Sequence, residues 1–367
     1  MTDEQILKKV LKLAQKGSGN VSPNPLVGSI IVKNGEIIGK GYHKCFGKAH
    51  AEIVALKNAG EQAKEATLYV NLEPCCHHGK TPPCTDAIIR AGIKKVVVGM
   101  VDPNPLVNQG GIEILRKYGI EVVTGVEEQA CLNLNRAFVK YIQKGLPYVT
   151  LKIAQTIDGR IATKTGHSHW ISSFKSRVEA HRIRRDNDAI IVGIETVKAD
   201  DPQLTVRHLR GANPFRIVLD SHLHIPLHSK LLTDEFVSKT IVATIEKDSP
   251  VFDTIKQTGA HVWTIEKNSD GQISLPHLLE KIGHARMSSV MVEGGAKVIT
   301  SFLKEKLADR VVFVIAPKIL GSGVDSIADL NVLTVDQSVV LENVYVKKMD
   351  TDLLVSADLN YNHTGKE

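Results

Sequence analysis

The chain has 367 residues and a formal net charge of +6, with 43% hydrophobic, 23% charged and 5% aromatic residues. This length suggests two domains, and the composition excludes disordered, collagen-like and coiled-coil proteins. The sequence shows no dense basic run typical of nucleic-acid binders, no apolar run long enough for a membrane span and no signal-peptide pattern, so we expect a cytoplasmic protein without nucleic-acid or membrane partners.

Hydrophobic periodicity predicts alternating helices and strands in the first half. Asn34-Gly35 between two apolar runs predicts a β-hairpin, because Asn-Gly favours the tight turn that joins antiparallel strands. The predicted helices are residues 3–16, 49–58, 85–90 and 112–117. The predicted strands are residues 26–32, 36–41, 67–72, 95–99 and 121–126. This alternation indicates an α/β layered domain over residues 1–145, with Gly145-Leu146-Pro147 as its boundary.

The second half, residues 146–367, has the same alternating pattern and is again predicted to be α/β. The predicted strands are residues 148–155, 189–193, 215–219, 240–244, 289–293 and 310–315. Helices are predicted over residues 173–185 and 297–306, and a final edge strand over residues 350–360. We therefore expect two α/β domains in one chain.

Cysteine usage points to a metal or catalytic site in the first half. The five cysteines are Cys45, Cys75, Cys76, Cys84 and Cys131. Three of them fall within ten residues, and no export signal accompanies them. Such clustering favours a metal or catalytic site over disulfides.

The motif His50-Ala51-Glu52, followed by Cys75 and Cys84, predicts catalytic zinc. Such a site needs three protein ligands and an open position for water, and one imidazole with two thiolates satisfies this need. Glu52, near a helix start, can lie beside the metal and shuttle a proton from water to a substrate nitrogen. This is the logic of the zinc-dependent nucleobase deaminases.

A closed structural zinc site is the alternative, and it would need a fourth ligand from Cys76, His77 or His78. The His-x-Glu pattern at a helix start favours the catalytic interpretation. Cys75 and Cys84 are the preferred sulfur ligands, because Cys76 should point away from its neighbour. Their Cys-x8-Cys spacing is longer than the Cys-x2-Cys of the general deaminase signature.

In the second half, Glu293-Gly294-Gly295 lies between a predicted strand and a predicted helix. Two glycines there would let a phosphate approach the helix N-terminus, but a plain tight turn explains them equally well. The Gly-x-Gly-x-x-Gly pattern of a Rossmann dinucleotide site is absent from the sequence.

Several segments of the first half resemble the deaminase domain of the bifunctional riboflavin biosynthesis family. Besides the long cysteine spacing, they are Ser22-Pro23-Asn24-Pro25, Gly41-x-His43, Gly47-x-Ala49-His50-Ala51-Glu52 and Asn71-Leu72-Glu73-Pro74-Cys75. The resemblance implies a cytidine-deaminase-like three-layer fold, with Asn24 and His43 on the pyrimidine and Lys80 at the ribose phosphate. Without it, these three would be a turn residue, a surface histidine and a loop lysine. Cys76 departs from the serine that the family favours.

The second half resembles the reductase domain of the same family, which is similar to dihydrofolate reductase and uses NADPH. The matching segments include Lys152-Ile153-Ala154, Ser168-x-Trp170, Arg184, Thr196-x-x-x-Asp200, Leu204-x-x-Arg207, Leu219-Asp220-Ser221 and Glu293-Gly294-Gly295. The resemblance covers about residues 3–355, nearly the whole chain.

The resemblance also implies roles for individual residues of the second half. The implied substrate contacts are Ser168, Arg184, Leu204, Arg207 and Glu293. The implied NADPH contacts are Ala154, Trp170, Thr196, Asp200, Ser221, Gly295, Ala296, Lys297 and Ser301. Lys152 is the candidate catalytic residue, and Asp200 stays open as a second candidate for proton transfer. As alternatives, Trp170 is a core aromatic, Asp200 a turn residue and Arg184 part of a solvated helix face.

The resemblance implies two consecutive reactions on small phosphoribosylaminopyrimidine substrates. A zinc-dependent hydrolytic deamination of 2,5-diamino-6-(5-phosphoribosylamino)pyrimidin-4(3H)-one comes first. An NADPH-dependent reduction of the ribosyl group of 5-amino-6-(5-phosphoribosylamino)uracil to ribityl follows. An RNA or nucleoside deaminase with a C-terminal binding module is one alternative, and a non-catalytic zinc scaffold is another. Assembly into a homo-oligomer is left open.

Overall fold

The computed structural model describes residues 1–77, 82–105 and 107–361, and the chain divides into two compact units, Met1–Gly145 and Leu146–Glu367. The helices of the first unit are α1 (Asp3–Ala14), α2 (Ala51–Ala59), α3 (Cys84–Arg90), α4 (Gly110–Lys117), α5 (Glu128–Leu134) and α6 (Arg136–Lys144). Its strands are β1 (Gly28–Lys33), β2 (Glu36–Tyr42), β3 (Thr67–Leu72), β4 (Lys95–Met100) and β5 (Glu121–Thr124). Short 3-10 helices cover Gln15–Gly17 and Gly60–Ala63.

The sheet of the first unit has the strand order β2-β1-β3-β4-β5 within the described residues. Strands β3, β4 and β5 are parallel, whereas β1 is antiparallel to both β2 and β3. Side chains alternate between the two faces, so Leu68 and Val70 pack with α2 and α3, while Tyr69 packs with α1. Helices on both faces make the three-layer fold that the resemblance implied.

Helix α2 lies unusually close to the sheet because two glycines of β2 face it. A Cβ at Gly41 would lie 2.2 Å from the carbonyl oxygen of Ala51, and one at Gly39 would lie 2.4 Å from that of Ala55. Only glycine permits this approach of helix backbone to strand. The depth at which α2 sits is thus determined by β2.

The second unit contains more elements than the first. Its strands are β6 (Tyr148–Thr156), β7 (Arg160–Thr163), β8 (Ala189–Gly193), β9 (Phe215–Leu219), β10 (Thr240–Thr244), β11 (His261–Thr264), β12 (Ser289–Val292), β13 (Arg310–Ala316), β14 (Gly323–Asp325), β15 (Val340–Met349) and β16 (Asp352–Asn360). Its helices are α7 (Phe174–Arg185), α8 (Ile194–Asp200), α9 (Lys230–Thr233), α10 (Pro250–Gln257), α11 (Leu275–His284) and α12 (Ala296–Lys304), with 3-10 helices at Val237–Lys239 and Val335–Gln337.

The main sheet of this unit has the order β11-β10-β9-β8-β12-β6-β13-β16-β15 within the described residues. The strands from β11 to β13 are parallel to their neighbours, and β16 is antiparallel to both β13 and β15. Apolar clusters fill both faces, one beneath α11 and α12 and the other beneath α8, α9 and α10. Because parallel strands end at the same edge, residues that follow β6, β8, β9 and β12 meet there.

Two expectations about the elements need correction. The last strand, β16, is not an edge strand, because β15 pairs with its outer side. Nearly all of β15 is exposed, so it lacks the alternation of buried and exposed residues that would have predicted it. The sequence prediction also omitted α5, α6 and α8 to α11, together with β7, β11 and β14. None of the helices in the described ranges is long and apolar enough to cross a membrane.

Candidate functional site

A cluster of metal-ligating side chains lies at one end of the sheet in the first unit. Ligand atoms of His50, Cys75 and Cys84 all lie within 4.8 Å of one another. His50 Nδ1 is 3.2 Å from Cys84 Sγ and 3.5 Å from Cys75 Sγ. His50 is the N-cap residue of α2, Cys84 is the first residue of α3, and Cys75 follows β3. Three elements that share one core therefore converge on this point.

The charge state of one sulfur ligand, Cys75, suits a metal, whereas the hydrogen bond to Cys75 and burial raise the pKa of the Cys84 thiol. A hydrogen bond from the Cys84 side chain lowers the pKa of the Cys75 thiol to about 4, against an opposing effect of burial, and His50 lowers it further. The backbone N–H of Cys84 also points at Cys75 Sγ, 3.4 Å away. A thiolate is the form that binds zinc, and one imidazole with two sulfurs leaves a fourth position open for water. The donor set fits a catalytic zinc ion.

Cys76 lies outside this cluster. Its Sγ packs near Gly110, where an added Cβ would be 3.1 Å away. Burial raises the pKa of the Cys76 thiol, which disfavours the thiolate. His77 lines the neighbouring cavity without belonging to the ligand group, and His78 lies outside the described residues. Among the described residues, no fourth side chain closes the site.

Glu52 occupies the second position of α2, is only 3% exposed and lies next to the ligand cluster. Burial raises the pKa of its carboxyl, and the neighbouring Cys75 raises it further. A buried carboxyl with a raised pKa can both accept and return a proton near neutral pH. The position and electrostatics of Glu52 are those required of a proton carrier beside a metal.

Asn24 and His43 form a pair on the same cavity. Asn24 Nδ2 lies 3.2 Å from His43 Nε2, and His43 Nδ1 lies 3.2 Å from the carbonyl oxygen of Ala49. Burial lowers the pKa of His43, so its ring is neutral, and the carbonyl assigns the proton to Nδ1. His43 is buried rather than at the surface, in contrast to the alternative considered above. Lys80, the third predicted substrate contact, lies outside the described residues.

The cavity beside the cluster has a volume of about 380 Å³, and the described residues that line it all belong to the first unit. Sequence analysis did not predict two parts of its wall, one on α6 and one after β4. The lining side chains in these parts are Phe138, Tyr141, Ile142, Asp102, Asn104 and Val107. The apolar positions of α6 are three and four residues apart, a spacing that could have identified this helix.

In the second unit, the Glu293 carboxylate forms ion pairs with both Lys152 and Arg184. Lys152 Nζ donates to Glu293 Oε1 at 2.9 Å, and Arg184 donates to Glu293 Oε2 from Nε at 2.8 Å and from Nη2 at 2.7 Å. Burial opposes ionisation of Glu293, but Arg184 and then Lys152 outweigh it and hold the pKa of its carboxyl at about 2. All three side chains are at least 85% buried. Glu293, predicted as a substrate contact, thus also orients Lys152 and Arg184.

Leu204 and Arg207 lie on the segment that follows α8. Leu204 is buried and has a positive φ of 53°, which an L-residue rarely adopts. The backbone N–H of Arg207 donates to His181 Nδ1 at 3.1 Å, while the Arg207 side chain contacts Gln203. Burial, followed by the charges of Arg184 and Arg207, lowers the pKa of His181 to about 4. A neutral His181 therefore fixes this segment beside Arg184.

The predicted NADPH contacts in this part of the second unit lie on or after parallel strands of the main sheet. Thr196 and Asp200 lie on α8 after β8, Ser221 follows β9, and Ala154 lies on β6. Gly295 is the N-cap residue of α12, which carries Ala296, Lys297 and Ser301, and an added Cβ at Gly295 would lie 3.7 Å from Thr196 Oγ1. An open helix start at the carboxyl edge of parallel strands suits the phosphates of a dinucleotide.

Ser168 and Trp170 precede α7, and Trp170 is 67% exposed, so it is not the core aromatic of the alternative interpretation. The Arg177 guanidinium lies 4.4 Å from the centre of its ring, a cation–π distance. Asp200, the last residue of α8, is exposed.

Two family models together match most of the chain. The RibD C-terminal domain matches residues 147–355, and the cytidine and deoxycytidylate deaminase zinc-binding region matches residues 1–100. Among curated relatives, the riboflavin biosynthesis protein RibD of Aquifex aeolicus is 47% identical over 96% of this chain and 97% of its own. That of Escherichia coli is 40% identical over 88% and 89%.

The chain belongs to the RibD family.

Solved structures of the family support this. Acinetobacter baumannii RibD is similar with a TM-score of 0.88 and 36% identity, covering 98% of this chain and 99% of that one. A deaminase/reductase of Thermotoga maritima has a TM-score of 0.83 and 38% identity at the same coverage. As a RibD protein, the chain is a bifunctional deaminase and reductase of riboflavin biosynthesis, with zinc and NADPH as cofactors. The predicted family, its two folds and its two cofactors are confirmed.

We expect the zinc content to depend on Cys84 but not on Cys76. Cys84→Ser removes a buried ligand, so this variant should lose most of its zinc on dialysis. Cys76→Ser, matched in chemistry, should keep about one zinc per chain, because Cys76 lies outside the ligand cluster. Atomic absorption on both purified variants measures this. Zinc loss from Cys76→Ser would contradict the ligand set.

We expect stability of the second unit to fall between pH 6.5 and 4 because of His181. Its pKa is lowered in the folded state, so protons bind preferentially to the unfolded chain as the pH drops. The loss should approach about 3 kcal/mol in the free energy of unfolding, at ~1.4 kcal/mol per pKa unit.

Urea unfolding followed by tryptophan fluorescence measures this loss, because the chain's two tryptophans, Trp170 and Trp263, are both in this unit. His181→Asn, which keeps an acceptor near the Arg207 N–H, should show a shallower pH dependence. An identical slope in both proteins would refute the role of His181.

Proposed function

We propose that the first unit deaminates 2,5-diamino-6-(5-phosphoribosylamino)pyrimidin-4(3H)-one and that the second reduces the ribosyl group of the resulting aminouracil to ribityl. The observation that carries this is the His50, Cys75 and Cys84 cluster with Glu52 beside it on one cavity. The name of the Thermotoga maritima relative, a diaminohydroxyphosphoribosylaminopyrimidine deaminase and 5-amino-6-(5-phosphoribosylamino)uracil reductase, supports the choice of substrates. We assign residues 1–145 to the deaminase and residues 146–367 to the reductase.

In the deaminase, His50, Cys75 and Cys84 would hold zinc, which would supply an acidified water molecule for attack on the ring carbon. Glu52 accepts a proton from the water and passes it to the ring nitrogen, then carries the remaining hydroxyl proton to the amino group, which leaves as ammonia as the C=O bond forms. The Asn24 and His43 pair supplies fixed polar groups for the pyrimidine, since each orients the other. We propose Lys80 as the contact to the ribose phosphate.

In the reductase, bound NADPH would supply the hydride for the anomeric carbon of the ribose. Opening the ribose ring also requires one proton, and Lys152 Nζ, oriented by Glu293, is our candidate donor. Asp200 is retained as a second candidate. Arg184 and Arg207 present guanidinium groups suited to the substrate phosphate. Burial and the nearby charge of Arg184 lower the pKa of Arg207, as expected where two cations lie close together.

The remaining residue assignments are also proposals. Ser168, Leu204 and Glu293 contact the ribosyl substrate, and the predicted residues on α8, α12 and the ends of β6 and β9 contact NADPH together with Trp170. The chain acts on small molecules without nucleic acid or a membrane, and a cytoplasmic location and a homo-oligomer remain predictions.

The test uses the purified, zinc-loaded chain with the diaminopyrimidinone ribosyl phosphate. Ammonia should appear without nicotinamide. NADPH, added afterwards, should then be oxidised as the deaminated product is reduced. Ammonia without later oxidation would contradict the reductase assignment, and no ammonia would refute the deaminase substrate. The RNA deaminase alternative predicts instead that the chain retains RNA in moderate salt.

A further inference from the structure

Glu73 is a buried carboxylate that neither the metal cluster nor the proposed proton transfer uses. It directly follows β3, two residues before Cys75, and is 3% exposed. Its Oε2 accepts the backbone N–H groups of Asp102 at 3.1 Å and Gln109 at 3.0 Å, and its Oε1 accepts those of Gly111 at 3.0 Å and Ile112 at 3.2 Å. These four N–H donors occupy all of the roughly four lone-pair sites that an ionised carboxylate offers.

These donors belong to two other elements of the first unit. Asp102 follows β4, the parallel neighbour of β3, while Gly111 and Ile112 are in the first turn of α4. The N-cap residue of α4, Gln109, makes no side-chain capping bond, so Glu73 supplies the cap from a different segment. A negative carboxylate at a helix N-terminus is also electrostatically favourable.

Close packing reinforces this connection. A Cβ at Gly111 would lie 2.1 Å from the carbonyl oxygen of Pro74 and 3.3 Å from Glu73 Oε1. The start of α4 is therefore pressed against the residues that lead directly into Cys75. Between β4 and α4, Asp102, Asn104 and Val107 line the deaminase cavity.

We propose that Glu73 is a positioning residue for deamination, which fixes the cavity wall formed by Asp102, Asn104 and Val107 relative to the zinc ligand Cys75. This rests on the deaminase function proposed above. Because these three residues line the cavity and include neither the metal cluster nor Glu52, displacing them should weaken substrate binding more than it slows the chemical step.

The test is Glu73→Gln, which keeps the size of the side chain but turns an NH₂ group toward two N–H donors. We expect zinc to stay at about one per chain, the deaminase KM to rise at least about tenfold and kcat to change by less than about threefold. Hydrogen exchange should accelerate at the amides of Gln109, Gly111 and Ile112. Reductase kinetics should be unchanged.

Glu113→Gln is the matched control, because Glu113 lies exposed in the first turn of the same helix. It should leave zinc, KM and exchange unchanged. Glu73→Asp keeps the negative charge but shortens the reach of the carboxylate to the four N–H groups, so it should raise KM in the same way and keeps the test open if Glu73→Gln fails to fold.

Unchanged KM and exchange in both test variants, or a parallel loss of zinc and kcat, would overturn the proposal. A wild-type protein that releases no ammonia would instead refute the deaminase function, and the exchange rates would still decide whether Glu73 holds the segment.

Discussion

Glu52→Gln should abolish deamination while leaving zinc bound. The amide is nearly the size of the carboxyl but cannot carry a proton between water and the leaving amino group, so we expect kcat to fall by a factor of about 10² to 10⁴. Zinc should remain, because the metal cluster consists of His50, Cys75 and Cys84 and does not include Glu52. Ammonia release and zinc content, measured on one preparation, provide the result.

Two comparisons make this result specific. Glu61→Gln, an exposed position just after α2, should behave as wild type. Reductase activity, assayed on separately prepared 5-amino-6-(5-phosphoribosylamino)uracil, should persist in Glu52→Gln. A fully active Glu52→Gln enzyme would show that another group carries the proton.

Lys152→Met should produce the opposite pattern, with ammonia release retained and NADPH oxidation slowed by a factor of about 10² or more. The substitution removes the candidate proton donor, yet Glu293 keeps both hydrogen bonds to Arg184. The buried carboxylate therefore stays paired, and stability should change little.

Stopped-flow or steady-state absorbance of NADPH measures the effect. Lys256→Met, an exposed lysine on α10, is the matched control and should retain wild-type rates. Glu293→Gln should be more damaging to stability than Lys152→Met, because it leaves two buried cations without their carboxylate. Normal NADPH oxidation by Lys152→Met would eliminate Lys152 as the donor and leave Asp200 as the candidate.

Sequence alone predicted the metal cluster because metal chemistry restricts both the residue types and their spacing. It also favoured Cys75 over its neighbour Cys76, and the structure places only Cys75 in the cluster. Strands such as β3, β8, β9 and β10 were predicted to the residue, since short apolar runs bounded by polar residues have few alternatives.

The contacts that depend on distant parts of the chain could not be predicted in this way. Lys152 and Glu293 are 141 positions apart, and their pairing follows from the parallel registration of β6 with β12. In the sequence, Glu73 is simply part of the segment that leads to Cys75. Its four N–H donors could not be predicted, because they depend on where α4 packs against that segment. Sequence patterns identified the reactive and metal-binding residues, whereas the order of strands in the sheet determined which of these side chains contact one another.

The glycines of β2 bear on how mutations in this family should be interpreted. Gly39 and Gly41 belong neither to the metal cluster nor to the cavity lining, yet they let α2 pack close enough to β2 to place His50 and Glu52. A misplacement of about 1 Å can cost a reaction two orders of magnitude. A screen for inactive variants should therefore recover substitutions at both glycines. Positions that tolerate no substitution would then include residues of β2 that neither bind substrate nor take part in catalysis.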